Sequence, residues 1–307
     1  MHYNIVIVSN EGYIQHAAVM LTSLFCTNKD KHFVIWLLTD GITKETMSKL
    51  QTVCATHGAE LKVITCGIDN LGDFPAGQWN PIMYFKLLIP QLLPATEKRC
   101  LFLDVDMIVH DDITALYHWN LQDKVIAAAE DMPDCVAFKP RLGLKDTDLC
   151  INSGVMVCDL EKWRQMEQEQ PIMKYATSII HKILNEQDVI ACYFKDKIAL
   201  LPIRWNMTTF YFNRRPKIFA KYLHELDRAK KFPGIIHFAA PIKPWFKDCQ
   251  HPYRKLYKQY LWLIPWRDYK FPIYEQLSKW GRIKKTIRNW LNRNGLMKDS
   301  IFTPPIK

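Results

Sequence analysis

The sequence has no C-x-x-C pair, and its nine cysteines, an odd number, are scattered through 307 residues. That argues against a disulfide framework or a zinc ribbon and fits a reducing cytoplasm. No uninterrupted apolar run approaches the ~18 residues of a membrane span, so a soluble or peripheral protein is expected. The opening MHYNIVIVSNEG lacks the basic leader of a signal peptide, and its apolar stretch is too short for one. It reads as a first strand. No G-x-G-x-x-G follows that strand, and there is no P-loop, H-E-x-x-H or G-x-S-x-G. The dinucleotide, P-loop, zinc-protease and nucleophile-elbow classes therefore lose their sequence support. Internal repeats and low-complexity linkers are absent too. No acidic residue occurs between Glu275 and Asp299.

What is present is a chain that can build a large core, with 49% hydrophobic residues. The formal charge is +10 and the isoelectric point about 9.1. Such a balance points to an anionic partner: a phosphate-bearing ligand, an acidic membrane surface or nucleic acid. No nucleic-acid reader motif accompanies it, so nucleic acid is not expected.

Apolar runs and helical stretches alternate. NIVIVS (4–9), FVIWLL (33–38) and LKVIT (61–65) read as strands, with helices over about Tyr13–Cys26 and Lys44–His57 between them. This alternation predicts an α/β fold with a mainly parallel sheet and right-handed crossovers. A loop over 66–80 precedes a helical stretch, Pro81–Leu88, limited by Pro90. Further strands are expected at Val125–Ala129, Ile151–Leu160, Ile198–Leu201 and Gly234–Phe238. Met132–Leu149 reads as a loop, and 161–194 as mainly helical with an interruption at Pro171.

The chain is organised around RCLFLDVDMIVHDD, residues 99–112. Here two apolar triplets flank Asp104-Val105-Asp106. The run reads as a buried strand, on which alternate residues face one way, so Asp104 and Asp106 reach one ion together. Two carboxylates at a strand end are costly to bury bare, and a divalent cation with hard oxygen ligands would neutralise them. The alternative is a solvated, Asp-rich turn. In open parallel sheets, ligands bind beyond the carboxyl ends of the strands. The polar residues at those ends are Asn10, Asp104, Asp106 and His237. An imidazole beside two carboxylates favours Mn2+ over Mg2+ or Ca2+. Lys243, shortly after His237, is able to hold a diphosphate as a point charge.

After about residue 250 aromatic and basic residues alternate. Leu277, Trp280, Ile283, Ile287, Trp290 and Leu291 then recur at helical spacing. Lys279, Arg282, Lys284, Lys285, Arg288 and Arg293 fill the polar face. A basic amphipathic helix with tryptophans suits an anionic membrane interface. The alternative is a helix packed on the body with a solvated basic face. The one-sided charge favours the membrane.

Four motifs in this order resemble the family 8 retaining glycosyltransferases, above all the bacterial lipopolysaccharide core glucosyl- and galactosyltransferases. They are FLDVDMIV, INSGVMVCDL, NEQD and HFAAPIKPW. The resemblance covers roughly residues 4–250. It implies a GT-A-type α/β fold, a mixed and mainly parallel sheet flanked by helices, with a UDP-hexose donor and Mn2+, Mg2+ being the alternative ion. Asp104, Asp106 and His237 match the metal ligands, and Lys243 the lysine on the diphosphate. Asn10 and Tyr13 match the nucleotide pocket, with Tyr13 stacking on uracil. Lys86 matches a basic residue that contacts the donor, and Asn152 a sugar-contacting asparagine followed by Ser153-Gly154. Gln187 matches the residue nearest the anomeric carbon, flanked by Glu186 and Asp188 as holders of sugar hydroxyls. Asp131, preceded by Glu130, matches the acid near the donor sugar.

The sequence departs from the family at Asn10-Glu11-Gly12, where relatives are richer in Asp. It departs again at Ala240, often Gly, and at Glu186, often Asp. These departures bear on base and sugar selectivity.

The expectation is a catalytic domain over 1–250 and a basic, aromatic, helical C-terminal extension over 251–307. The enzyme would move galactose or glucose from a UDP-sugar to a lipopolysaccharide or lipooligosaccharide core acceptor. It would work in the cytoplasm, peripherally on the inner face of the cytoplasmic membrane. The alternatives are a protein or polysaccharide acceptor, or a non-catalytic sugar-nucleotide-binding module.

Overall fold

A computed structural model describes residues 2–67, 71, 74–77, 80–131, 138–213, 216–274, 278–293 and 296. The first strands follow the hydrophobic pattern closely. β1 (Tyr3–Val8), β2 (Phe33–Thr39) and β3 (Glu60–Thr65) alternate with helices Ile14–Thr27 and Lys44–Thr56. The second helix starts where the Thr43 hydroxyl accepts the Thr46 N–H at 3.2 Å.

Then come β4 (Arg99–Leu103), β5 (Met107–Val109), β6 (Ile126–Glu130), β7 (Ile151–Asp159), β8 (Ile198–Leu200), β9 (Met207–Thr208) and β10 (Ile235–His237). They form a seven-stranded sheet in the order β3-β2-β1-β4-β7-β6-β8 and a three-stranded one in the order β5-β10-β9.

The large sheet is parallel from β3 through β4, and β8 runs parallel to β6. β7 runs antiparallel between β4 and β6. The inner strands β2 and β4 are almost wholly buried because both faces are covered, while the edge strand β3 is partly exposed. On one face Ile5, Ile7, Leu101 and Leu103 pack with the helix Ile14–Thr27. On the other Val6, Cys100, Phe102 and Met156 pack with Tyr84, Phe85 and Ile190.

Several expectations shift in detail. Pro81–Leu88 is a 3-10 helix. Pro90 does not end the stretch but sits in the first turn of a further helix, Ile89–Leu92, where its missing N–H has no cost. The polar stretch after β6 contains a helical turn, Lys139–Leu142, while residues 132–137 lie outside the described residues. The helical stretch breaks into Leu160–Glu169, Ile172–Ser178 and Glu186–Tyr193. The described cysteines are all free thiols.

One correction matters for the site. Asp104 and Asp106 do not lie on a single strand. β4 ends at Leu103 in the large sheet, and β5 begins at Met107 in the small one. The D-x-D segment is the crossing between them. Backbone bonds fix both ends: Asp104 N–H donates to Gly154 O at 2.8 Å, and Phe238 N–H to Asp106 O at 2.9 Å.

Past residue 250 the chain first packs on the body. Tyr257, Leu261 and Ile264 are buried in the same core as β1 and β4. The helix Lys279–Arg293 follows. Trp280 (72% exposed), Ile283, Ile287 and Trp290 (57%) are exposed, while Leu291 is half-buried. Lys284 and Arg288 are exposed as well, and Gln250 Nε2 donates to Thr286 Oγ1 at 2.7 Å. Leu277 and the side chains at 279, 282 and 293 lie outside the described residues. No helix among the described residues is long and apolar enough to cross a membrane.

Candidate active site

β5 and β10 are antiparallel with Met107 opposite His237. That register sets the imidazole against the crossing segment. Asp104, Asp106 and His237 each offer a ligand atom, all within 4.8 Å of one another. His237 Nε2 lies 3.3 Å from Asp106 Oδ1 and 3.8 Å from Asp104 Oδ2. His237 Nδ1 is taken up on the other side by Asn206 Oδ1 at 2.9 Å. Two hard carboxylates, one imidazole and an oriented second nitrogen fit a divalent transition ion.

Each carboxylate also carries a lysine. Lys243 Nζ donates to Asp106 Oδ2 at 2.6 Å and to Phe238 O at 2.8 Å. Burial alone would push the Asp106 carboxyl up, but Lys243 and His237 outweigh it and hold it well below the usual carboxylate range. Lys86, expected as a donor contact on a helix face, is buried beneath the site. Its Nζ lies 3.3 Å from Asp104 Oδ1, 2.8 Å from Glu186 Oε1 and 3.3 Å from Ser153 Oγ. Burial lowers its ammonium pKa, but Asp104 and Glu186 reverse this and the net shift is upward.

The NEQD segment forms the N-terminus of helix Glu186–Tyr193, where Asn185 Oδ1 caps the Asp188 N–H at 3.2 Å. Gln187 is held at both ends: Ser153 N–H donates to its Oε1 at 3.1 Å, and its Nε2 donates to Asp131 Oδ2 at 2.8 Å. Glu130 is drawn elsewhere, to Lys221 at 2.6 Å and to the Tyr222 hydroxyl. Of the two acids, Asp131 therefore faces Gln187. Asp188 is engaged by Arg141 at 3.0 Å and by the Leu184 N–H at 2.7 Å. Both flanking carboxylates thus already have protein partners.

At the end of β1, Asn10 Oδ1 is buried and takes no hydrogen bond among the described residues. Glu11 turns away to accept the Thr43 N–H at 2.8 Å, anchoring the loop to the next helix. Tyr13 is 43% exposed and meets Trp245 edge-on at 5.7 Å. His16 stacks flat on Trp245 at 3.6 Å, and burial pushes its pKa down to about 3, so it is a neutral ring at physiological pH.

Gly154 is where the site cannot take a side chain. A Cβ there would lie 2.6 Å from His237 Cε1, 2.8 Å from Asp104 Oδ2 and 2.9 Å from Met107 Cε. Gly154→Ala should leave the sheet folded but displace the imidazole. We expect Mn2+ binding, followed by the electron paramagnetic resonance of the free ion, to weaken by about tenfold or more. Unchanged affinity would mean that the ligands can shift freely.

Asn206 and the buried position of Lys86 were not foreseen. Asn206 is a lone amide in IRWNM, and its partners Asn152 and His237 are remote in sequence. A pairing of the second small-sheet strand with GIIHF is the only signal that would have led to it.

The sequence profile of glycosyl transferase family 8 matches residues 4–249. General stress protein A of Bacillus subtilis is 24% identical over 282 residues, 89% of this chain and 98% of its own length. A lipopolysaccharide 1,2-glucosyltransferase of Escherichia coli is 27% identical over 267 residues, 84% of this chain and 77% of its own length. Among solved structures, the galactosyltransferase LgtC with donor and acceptor sugar analogues superposes with a TM-score of 0.75 at 19% identity. That match covers 85% of this chain and 96% of that one. Glycosyltransferase GlyE of Streptococcus pneumoniae superposes with a TM-score of 0.62 at 21% identity, covering 91% of this chain and 67% of its own. These likenesses show the GT-A-type fold. The chain belongs to glycosyl transferase family 8.

Proposed function

We propose that this glycosyltransferase moves glucose or galactose from a UDP-sugar to a lipopolysaccharide or lipooligosaccharide core acceptor, with retention of anomeric configuration and with Mn2+. The observation that carries the reading is the convergence of Asp104, Asp106 and His237 beside Lys243, with Gln187 and Asp131 held across from them. Relatives that bear lipopolysaccharide glucosyltransferase names support the choice of acceptor.

Asp104, Asp106 and His237 would hold Mn2+, or Mg2+ in its place, which supplies Lewis-acid stabilisation of the diphosphate. Lys243 would transfer its charge from Asp106 to the departing phosphate oxygens. Asn10 and Tyr13 would hold the uracil, with Asn10 Oδ1, which has no partner among the described residues, accepting from it. Asn152 and Asp131 would hold the sugar, while Lys86 and Glu186 brace the floor of the site. As the glycosidic bond lengthens, the sugar gains oxocarbenium character. An amide is a poor nucleophile, so Gln187 would orient and stabilise that cation. The acceptor hydroxyl attacks on the face the diphosphate leaves, and its proton passes to the leaving oxygen.

The test is a panel of UDP-hexoses with Mn2+ and truncated lipopolysaccharide cores, with the product anomer read by NMR. An inverted product sinks the reaction assignment. Donor hydrolysis without transfer to any core would favour a protein or polysaccharide acceptor. Absence of both would leave a binding module.

The tail would bring this site to a glycolipid on the cytoplasmic leaflet. We read residues 1–250 as the catalytic unit and 251–307 as an extension whose first part packs on it. The exposure of Trp280, Ile283 and Ile287 beside exposed Lys284 and Arg288 supports a lipid surface. Deleting residues 277–307 should weaken binding to anionic vesicles by about a hundredfold or more, on the order of 1 kcal/mol for each basic residue. Transfer to a soluble acceptor should be kept. Equal binding by the truncated chain in vesicle flotation would remove the membrane role and leave the enzyme.

A further inference from the structure

Asn206 ends the short 3-10 helix Ile203–Asn206, directly before β9, and is buried at 1% exposure. Its two amide atoms reach different parts of the site. Nδ2 donates to Asn152 Oδ1 at 2.8 Å, and Oδ1 lies 2.9 Å from His237 Nδ1.

The orientation of each group follows from a donor that cannot turn. Gly154 N–H donates to Asn152 Oδ1 at 3.1 Å. Asn152 therefore points oxygen, not nitrogen, toward Asn206. Asn206 must answer with its NH2 group, which leaves its own oxygen for His237. An oxygen there requires a proton on His237 Nδ1, which leaves Nε2 as the only ring nitrogen able to ligate an ion. Nε2 faces Asp106 and Asp104. With both bonds on its oxygen, Asn152 keeps its NH2 as the end available to a sugar hydroxyl.

We propose that Asn206 is a positioning residue that fixes two partners at once, His237 as an Nε2 metal ligand and Asn152 as a hydrogen-bond donor to the transferred sugar. The inference rests on the function proposed above and adds a control on metal affinity and donor recognition through one buried amide.

The two roles separate by substitution. Asn206→Asp keeps an acceptor for His237 Nδ1–H but sets a carboxylate oxygen against Asn152 Oδ1. Asn152 then turns over, loses the Gly154 bond and presents oxygen to the donor. Mn2+ affinity should stay within about threefold of the parent, while the donor KM rises about tenfold, the size of one lost hydrogen bond. Asn206→Leu removes both partners, and Mn2+ affinity measured without any donor should fall by about 10- to 100-fold.

The experiment measures Mn2+ binding by electron paramagnetic resonance and steady-state KM and kcat. Thermal melting verifies folding, and 15N NMR reads the His237 tautomer in metal-free protein. A protonated Nδ1 in the parent and its loss in Asn206→Leu are expected. Should Asn206→Leu not fold, the split between KM and Mn2+ affinity in Asn206→Asp decides. An Nε2–H tautomer in the parent overturns the proposal, as do equal changes of KM and Mn2+ affinity in Asn206→Asp. A parent with the Nδ1–H tautomer that binds no Mn2+ supports the positioning role and counts against the metal-dependent function instead.

Discussion

Asp106→Asn should lose Mn2+ binding and lower hexose transfer by about 10^3-fold, since a Lewis acid worth about 4 kcal/mol in the transition state corresponds to that factor. Asp106 is the carboxylate nearest the imidazole, 3.3 Å from His237 Nε2, and the one clasped by Lys243 at 2.6 Å. Lys243 and His237 keep it ionised down to well below the usual carboxylate range, so it is a full anion at any working pH. An asparagine offers one neutral oxygen and turns an NH2 group toward the ion or toward the Lys243 ammonium. Either arrangement opposes a cation. The Asp104→Asn variant should be less severe in the metal-free fold, because Asp104 is the more exposed of the two carboxylates. Mn2+ titration and transfer assays after chelation check this. Full transfer by Asp106→Asn without added metal would end the metal role.

Lys86→Met should destabilise the protein by about 3–5 kcal/mol, the usual result of stripping one partner from a buried ion pair. That is a large share of the total stability of an ordinary domain. The ammonium lies between Asp104 and Glu186, and the Glu186 side chain is itself nearly inaccessible. A methionine would leave two carboxylates facing one another with no counter-charge. Lys86→Met with Glu186→Gln should recover much of the loss, because only the more exposed Asp104 remains charged. Urea midpoints of the single and double variants test this. Parent-like stability of the single variant would show that the buried pair is not held as described.

Local sequence patterns showed the strands well. FVIWLL is apolar at every position because β2 is covered on both faces, and such a run carries its own signal. The D-x-D pair and GIIHF were marked by composition, as carboxylates and an imidazole interrupting apolar runs. What stayed hidden depends on pairing between distant segments. The antiparallel insertion of β7 beside β4 changes the sheet without changing the strand's composition. Asp104 and Asp106 sit at a crossing between sheets rather than along one strand, which period-two reasoning does not anticipate. The burial of Lys86 is not legible in the sequence because its partner, Glu186, is a hundred residues away in the chain. Tyr257, Leu261 and Ile264 sit in a basic, aromatic stretch, yet their burial follows from the surface left open beside the helix Ile14–Thr27, where His16 meets Tyr257 at 2.7 Å.

The small sheet draws its strands from residues 107–109, 207–208 and 235–237. Pairing β5 with β10 closes a long loop, and such closures come late and slowly because chain entropy opposes them until the rest is in place. During synthesis the acidic turn leaves the ribosome long before the imidazole that completes it. A nascent chain therefore carries only the acidic part of this cluster until residue 237 has emerged. An ion held there would be a final fastener between two sheets, added only once nearly the whole catalytic region can fold.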